Sequence, residues 1–253
     1  MNTELRIIPV TGIGEIPDGS DLGLILYTAL RQQNITLEHG DVFIVTQKIV
    51  SKAEGRVVNL DEIEASPFAQ TIAQQGNKDA QHVEVVLRES KRIVRMNHGV
   101  LISETWHGFI CANAGVDESN VDGQRALTLL PIDSDRSAQN LRTRLRQLAG
   151  EEIDIAVIIS DTWGRPWRNG QVNMAIGVAG MESIVDYRGQ NDPYGYELQA
   201  SAIAVADELA SAGELVMGKI DRVPVALIRG YTYLPATGDG RTLIRDSATD
   251  MFR

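Results

Sequence analysis

Ile153-Asp154-Ile155-Ala156-Val157-Ile158-Ile159-Ser160-Asp161-Thr162-Trp163-Gly164-Arg165-Pro166-Trp167-Arg168 is the stretch on which the reading of this chain turns. Its first part, Ile153 to Ile159, is an apolar run that reads as a buried strand. The run gives way to a carboxylate, a hydroxyl, a Gly-Arg-Pro turn and a second arginine. A strand that delivers such groups to its carboxyl end suits a metal ion and a phosphate. Hard cations take oxygen ligands, often one or two carboxylates beside substrate phosphates, and arginine offers fixed donors to phosphate oxygens. The same residues also read as a strand followed by an ordinary Asp-initiated turn, with Arg165 and Arg168 either facing an anionic substrate or closing it.

Outward from this stretch, strands and helices interleave without regular alternation. Glu4 to Val10, Val42 to Val45, Arg92 to Arg95, Val100 to Ser103, Val172 to Val178, Ile184 to Tyr187 and Val223 to Arg229 read as strands. Asp21 opens a helix with Leu22, Ile25, Leu26, Ala29 and Leu30 at helical spacing. Ser66-Pro67 is a helix start, an N-cap followed by proline at the first helical position. Ser137 to Leu148 and Tyr196 to Ala212 read as further helices, and the tail after Gly230 as irregular. Several strands are consecutive, so the fold class is mixed α/β of the α+β kind, mixed sheets with flanking helices. Residues 1–253 read as a single module, which a helical insertion near 61–90 could divide into two subdomains.

Composition narrows the function. With 253 residues, 43% apolar and 23% charged, the chain is long enough for a substantial core and has an ordinary globular balance. A net charge of −10 argues against a nucleic-acid footprint, which needs a clustered basic surface. No window of eighteen apolar residues predicts a membrane span, and no secretion signal opens the chain. Cys111 is the single cysteine, so no intrachain disulfide is possible; the expected compartment is cytoplasmic. His39, His82, His98 and His107 show no zinc-type spacing, so any metal should be a hard ion on carboxylates.

Gly115 to Asp122 reads as a polar loop with two or three carboxylates and an amide, apt for Mg²⁺ or Mn²⁺ or simply an Asx-rich surface turn. With Asp161 it could bracket a metal–phosphate pair. Lys48 and Lys52, four apart, would share a face if helical and need not otherwise. They are phosphate donors or a solvated pair. Gly213-Glu214-Leu215-Val216-Met217-Gly218-Lys219-Ile220 imitates a P-loop, but Ile220 replaces the required hydroxyl and the segment follows a helix, so a P-loop is rejected. Gly12 and Gly14 do not complete GxGxxG, so there is no Rossmann fingerprint. Cys111 reads as a small buried residue.

In this order, the chain is similar to the coenzyme F420-0:L-glutamate ligase family, also called F420-0 gamma-glutamyl ligases. The resemblance rests on Gly12 to Ile16, Gln47 to Gly55, Asn113 to Val121, Ile159 to Arg165, Asp192 to Gly195, Ala206 to Glu208 and Val216 to Lys219. No nitroreductase-like domain, fused in some relatives, is expected here. The resemblance implies a GTP-dependent, amide-forming ligase that extends F420-0 with L-glutamate through an acyl phosphate, with a second, γ-linked glutamate as a further possibility. It implies a homodimer, Mg²⁺ or Mn²⁺, and K⁺ as a further candidate ion. By position it implies Asp117, Asp161 and Thr162 as metal ligands. It places Ile13, Gly14, Glu15, Ile16, Gln47, Lys48, Lys52, Asn120, Met217, Gly218, Lys219, Ile220, Asp221, Arg222 and Val223 at GTP. No residue is assigned as general base. Where some members carry Met-Gly-Glu, this chain has Met217-Gly218-Lys219, so one metal site is expected complete and a second incomplete. The alternative activities are a metal-dependent nucleotide phosphohydrolase, with water as acceptor, and a non-catalytic nucleotide-binding protein.

Overall fold

The computed structural model describes residues 4–121 and 124–251; the side chains of 119–121 and 124 lie outside that description. Along the chain run β1 (Arg6–Val10), α1 (Leu22–Gln32), β2 (Val42–Thr46), α2 (Gln47–Ala53), β3 (Val57–Asn59), α3 (Pro67–Gly76) and α4 (Ala80–Arg88). Next come β4 (Ser90–Asn97), β5 (Val100–Thr105), β6 (Ile110–Ala112), β7 (Asp117–Val121), β8 (Gln124–Thr128) and α5 (Ser134–Ala149). The remainder is β9 (Ala156–Arg165), β10 (Arg168–Ala179), β11 (Val185–Asp186), β12 (Ala202–Ile203), α6 (Val205–Met217) and β13 (Val225–Arg229). Mixed and antiparallel sheets flanked by helices bear out the α+β class. No helix among the described residues is long and apolar enough to cross a membrane.

The main sheet has the order β1-β13-β2-β9-β10. Only β2 and β9 pair in parallel; the other neighbours are antiparallel. Both faces are covered, which is why its central strands are uniformly apolar rather than alternating. Phe43, Val45, Val157, Ile159 and Leu227 point into one core with Leu26 and Leu30 of α1 and Leu141 and Leu145 of α5. Val42, Ile44, Ala156, Ile158, Ala226 and Ile228 point the other way, onto Ala206, Leu209 and Ala210 of α6. Gly213 belongs to that packing: a Cβ there would lie 2.9 Å from the side chain of Ile44. A separate apolar cluster joins Ile72 of α3 and Val83 and Val86 of α4 to Leu101 and Leu127, beneath the three-stranded sheets β3-β8-β7 and β4-β5-β6.

The start of α1 is capped by Asp21, and Ser66 with Pro67 opens α3 as the sequence predicts. Several expectations are corrected. The polar residues after Ile159 do not end the strand: β9 continues to Arg165, with Asp161 opposite Met174 and Thr162 opposite Asn173 in β10. Pairing with β10 supplies the backbone partners that polar side chains cannot signal. Arg165 donates to the Asn169 carbonyl at 3.3 Å, so it closes this hairpin. The polar segment after Gly115 is likewise not a loop from Asp117 onward but strand β7, paired with β8. Helix α5 starts a turn earlier than Ser137, because Asp133 accepts from the Arg136 amide at 3.0 Å and caps it.

Helix α6 spans 205–217 rather than 196–212. Upstream, Asp192 Oδ1 accepts from the amides of Tyr194 at 2.9 Å and Tyr196 at 2.8 Å, an Asx turn that holds the chain out of a helix. The glycine-spaced 213–218 segment therefore forms the last turns of α6 and its cap, not a loop after it. The last strand starts at Val225, two residues later than read.

Candidate active site

A cleft of about 550 Å³ opens where the carboxyl ends of the parallel pair β2 and β9 meet the segments after β1 and α6. Ile13 to Ile16 form one wall and 217–219 with 222–224 another; Asp161 and Thr162 of β9 and Asn173 of β10 form the floor. The run 47–53 is the helix α2, so Lys48 and Lys52 do share a face, and both line the cleft. Asp117 enters from β7, in a different sheet.

Asp161 is buried and 8% exposed. Its pKa is pushed up to about 7, first by burial and then by the charge of Asp117; the Thr162 amide hydrogen bond and the charges of Lys48 and Lys219 oppose this. Burial of a carboxylate disfavours its charged form, and a like charge adds to that. The Thr162 amide donates to Asp161 Oδ1 at 2.8 Å. Asp117 is held from two sides: Lys48 Nζ lies 3.4 Å from its Oδ2, and Gln47 Nε2 donates to the same oxygen at 3.4 Å. Buried Gln47 is fixed in turn by Ser51 Oγ, which donates to its Oε1 at 2.8 Å.

Thr162, Asn173, Glu214 and Lys219 close a ring. Lys219 Nζ donates to Thr162 Oγ1 at 2.6 Å, and Thr162 Oγ1 donates to Asn173 Oδ1. Asn173 Nδ2 donates to Glu214 Oε2 at 2.9 Å, and Glu214 Oε1 returns to Lys219 Nζ at 3.0 Å. Across the cleft, four acids (Glu15, Asp117, Asp161, Glu214) face four bases (Lys48, Lys52, Lys219, Arg222). The cleft is thus locally balanced within a chain of net charge −10, and local cations can hold an anion against a distant surface charge.

Among the residues singled out from sequence, Ile13, Gly14, Glu15, Ile16, Lys48, Lys52, Asp117, Asp161, Thr162, Met217, Gly218, Lys219, Arg222 and Val223 line this one cleft. Gln47 stands behind it, supporting Asp117. Ile220 and Asp221 do not line it: Ile220 is exposed, and Asp221 sits in the turn between α6 and β13. The side chain of Asn120 lies outside the described residues. Thr46, Ile49, Gln171, Asn173, Glu214 and Pro224 also line the cleft and were not picked out as site residues. The sequence signal for Asn173 exists only once the β9–β10 register is known, because that register sets it opposite Thr162.

The donor set suits a hard divalent ion. Two carboxylates from separate sheets converge, and the buried one is destabilised in its charged form by the other, an imbalance that a dication relieves. Among the described residues no group of three or more His, Cys, Asp or Glu side chains forms a protein-only cage. Magnesium-type sites commonly use one or two carboxylates plus waters and substrate phosphates.

Comparison with known proteins follows the same lines. The family model described as F420-0:Gamma-glutamyl ligase matches residues 12–230. The coenzyme F420:L-glutamate ligase of Methanothermobacter thermautotrophicus is 45% identical over 252 residues, 98% of this chain and 99% of the relative. That of Methanopyrus kandleri is 45% identical over 254 residues, 98% of each chain. That of Methanocaldococcus jannaschii is 42% identical over 218 residues, 86% of each. The cleft-lining segments after β1, in α2, in β7, in β9 and after α6 all fall within the matched span, and the chain belongs to the F420-0:gamma-glutamyl ligase family.

Proposed function

We propose that this chain is a GTP- and divalent-metal-dependent ligase that joins L-glutamate to coenzyme F420-0 through an acyl phosphate. The observation that carries the reading is the meeting, in one cleft, of two carboxylates and four cationic side chains brought from separate elements. Phosphoryl transfer to a carboxylate asks a protein for positioning and charge neutralisation more than for covalent help.

In this reading the terminal carboxylate of F420-0 attacks the γ-phosphorus of GTP, a new C–O–P linkage forms, and GDP leaves. The α-amine of glutamate then attacks the acyl carbon, loses a proton, and expels inorganic phosphate as the amide forms. Asp117 and Asp161 would hold the divalent ion. When bound, it supplies positive charge to the phosphate oxygens and lowers the energy of charge developing there. Lys48 and Lys52, on one face of α2, and Lys219 line the cleft and would supply positive charge to the phosphates. Gln47, which donates to Asp117 Oδ2, would help hold that carboxylate in place for the ion. A homodimer follows from the family resemblance, and light scattering of the purified chain tests it.

The deciding experiment incubates the chain with F420-0, GTP, Mn²⁺ and glutamate and weighs the product. A glutamyl increment dependent on all four is expected; its absence overturns the proposal. Rapid GTP hydrolysis without F420-0 and glutamate would instead identify a phosphohydrolase. GTP binding with no turnover, unaltered in Asp161→Ala, would identify a non-catalytic nucleotide-binding protein.

A further inference from the structure

We propose that Lys219 is a fixed cation at the phosphate end of the cleft, standing where a second divalent ion would otherwise bind, so that the chain loads one divalent ion per nucleotide. The proposal rests on the nucleotide reading above. It goes beyond that reading by assigning the ion count and the role of one side chain.

The argument lies in the hydrogen-bonded ring. The oxygens tied to Thr162 through side-chain hydrogen bonds are its own and those of Asn173 and Glu214, and all of them are engaged. Thr162 Oγ1 accepts from Lys219 at 2.6 Å and gives its own proton to Asn173 Oδ1. Glu214 uses Oε2 for Asn173, at 2.9 Å, and Oε1 for Lys219, at 3.0 Å. The corner shared by Thr162 and Glu214 is already occupied by an ammonium. A dication placed there would meet that like charge at close range, where repulsion is strongest. On the opposite side of the cleft, Asp161 Oδ1 accepts from the Thr162 amide, and Asp117 Oδ2 meets Lys48 Nζ and Gln47 Nε2 at 3.4 Å each, longer contacts than those Lys219 makes in the ring and ones that an ion there would displace.

Lysine brings three N–H donors and no acceptor. Two are spent on Thr162 and Glu214, which leaves the third for a phosphate oxygen. A bound ion could be lost or exchanged; this charge is covalently attached through the residue that follows Gly218. Gly218 ends α6 with φ of 59° and ψ of −167°, a conformation that favours glycine and turns the chain so that Lys219 reaches back over the last turn of the helix.

The test counts Mn²⁺ bound in the presence of a non-hydrolysable GTP analogue, by calorimetry and by electron paramagnetic resonance. The wild-type chain is expected to bind one Mn²⁺. Lys219→Glu, which exchanges the ammonium for oxygen ligands, is expected to bind two with its melting temperature retained. Lys219→Gln supplies an oxygen and no charge, keeps the test decisive if the glutamate variant unfolds, and is also expected to bind two. Two ions in the wild-type chain, or one in a folded variant, overturns the proposal while leaving the nucleotide reading intact. Failure of the analogue to bind the wild-type chain removes both, a result distinguishable from either count.

Discussion

Thr46 of β2 stands opposite Ser160 of β9, the last pair of the parallel register between the two strands. One residue further along each strand lie Gln47, the first residue of α2, and Asp161. The main-chain register of two buried strands therefore brings the lysines of α2 and the buried carboxylate of β9 to one end of the sheet. Four predictions follow from the groups gathered there and beneath them.

The buried charge of Asp161 should cost stability in the metal-free chain. Its folded pKa of about 7 is above the ordinary 3.8, so the folded state holds this proton more tightly than the unfolded state. Stability from this group is then lost as pH rises from about 4 through 7, and the full cost is present above 7. Asp161→Asn should melt higher than wild type at pH 8 in chelator, by an amount on the order of 1–3 kcal/mol, and the gap should close toward pH 4. Each kcal/mol is worth roughly 2–4 °C in a chain of this size. Added Mn²⁺ should raise the melting temperature of wild type and leave that of the variant in place. A wild type more stable than Asp161→Asn at pH 8 without metal would contradict this.

Lys48 and Lys52 should contribute to nucleotide affinity through charge. Each replacement by methionine keeps the stem and removes the ammonium, and each should weaken GTP binding by roughly tenfold. The wild-type affinity should fall as salt rises, and the fall should be shallower in the variants. Equilibrium dialysis at two ionic strengths reads both effects, and an unchanged salt slope would count against the assignment.

Cys111 should be inert in the folded chain. Its thiol is buried and pushed up to about 12, first by burial and then by the charge of Asp161, with a smaller push from Asp117. Since the thiolate is the reactive species, alkylation at pH 8 should be at least roughly a hundredfold slower than in denaturant. Mass spectrometry of time points with iodoacetamide checks this.

Gly213 should matter for packing rather than for phosphate binding. Gly213→Ala adds a methyl 2.9 Å from Ile44 and should destabilise the chain by about 1–3 kcal/mol. GTP affinity at temperatures where the variant is folded should be unchanged. A selective loss of affinity with normal melting would return this glycine to the binding site.

The class of fold and most of the cleft were legible in the chain. Apolar runs such as 42–45 and 156–159 read as strands covered on both faces, and a serine followed by proline, as at Ser66-Pro67, favours a helix start; Ile153 to Ile155, read as part of the second run, precede β9, which begins at Ala156. The short segments after β1, in α2, in β9 and after α6 were picked out by the family resemblance, and the structure brings them to one cleft. Polar strands were less legible. Asp161 to Arg165 and Asp117 to Val121 read as turn and loop, because their strand conformation comes from partners in β10 and β8 and not from local propensity. The ring of Thr162, Asn173, Glu214 and Lys219 could not be read at all. Those residues lie up to 57 positions apart, and only the β9–β10 register and the packing of α6 on the sheet bring them together. Residue type fixed which groups could serve as ligands and donors; tertiary structure decided which of them share a cleft, because hydrogen-bond register and helix packing, unlike composition, are set by contacts between distant parts of the chain.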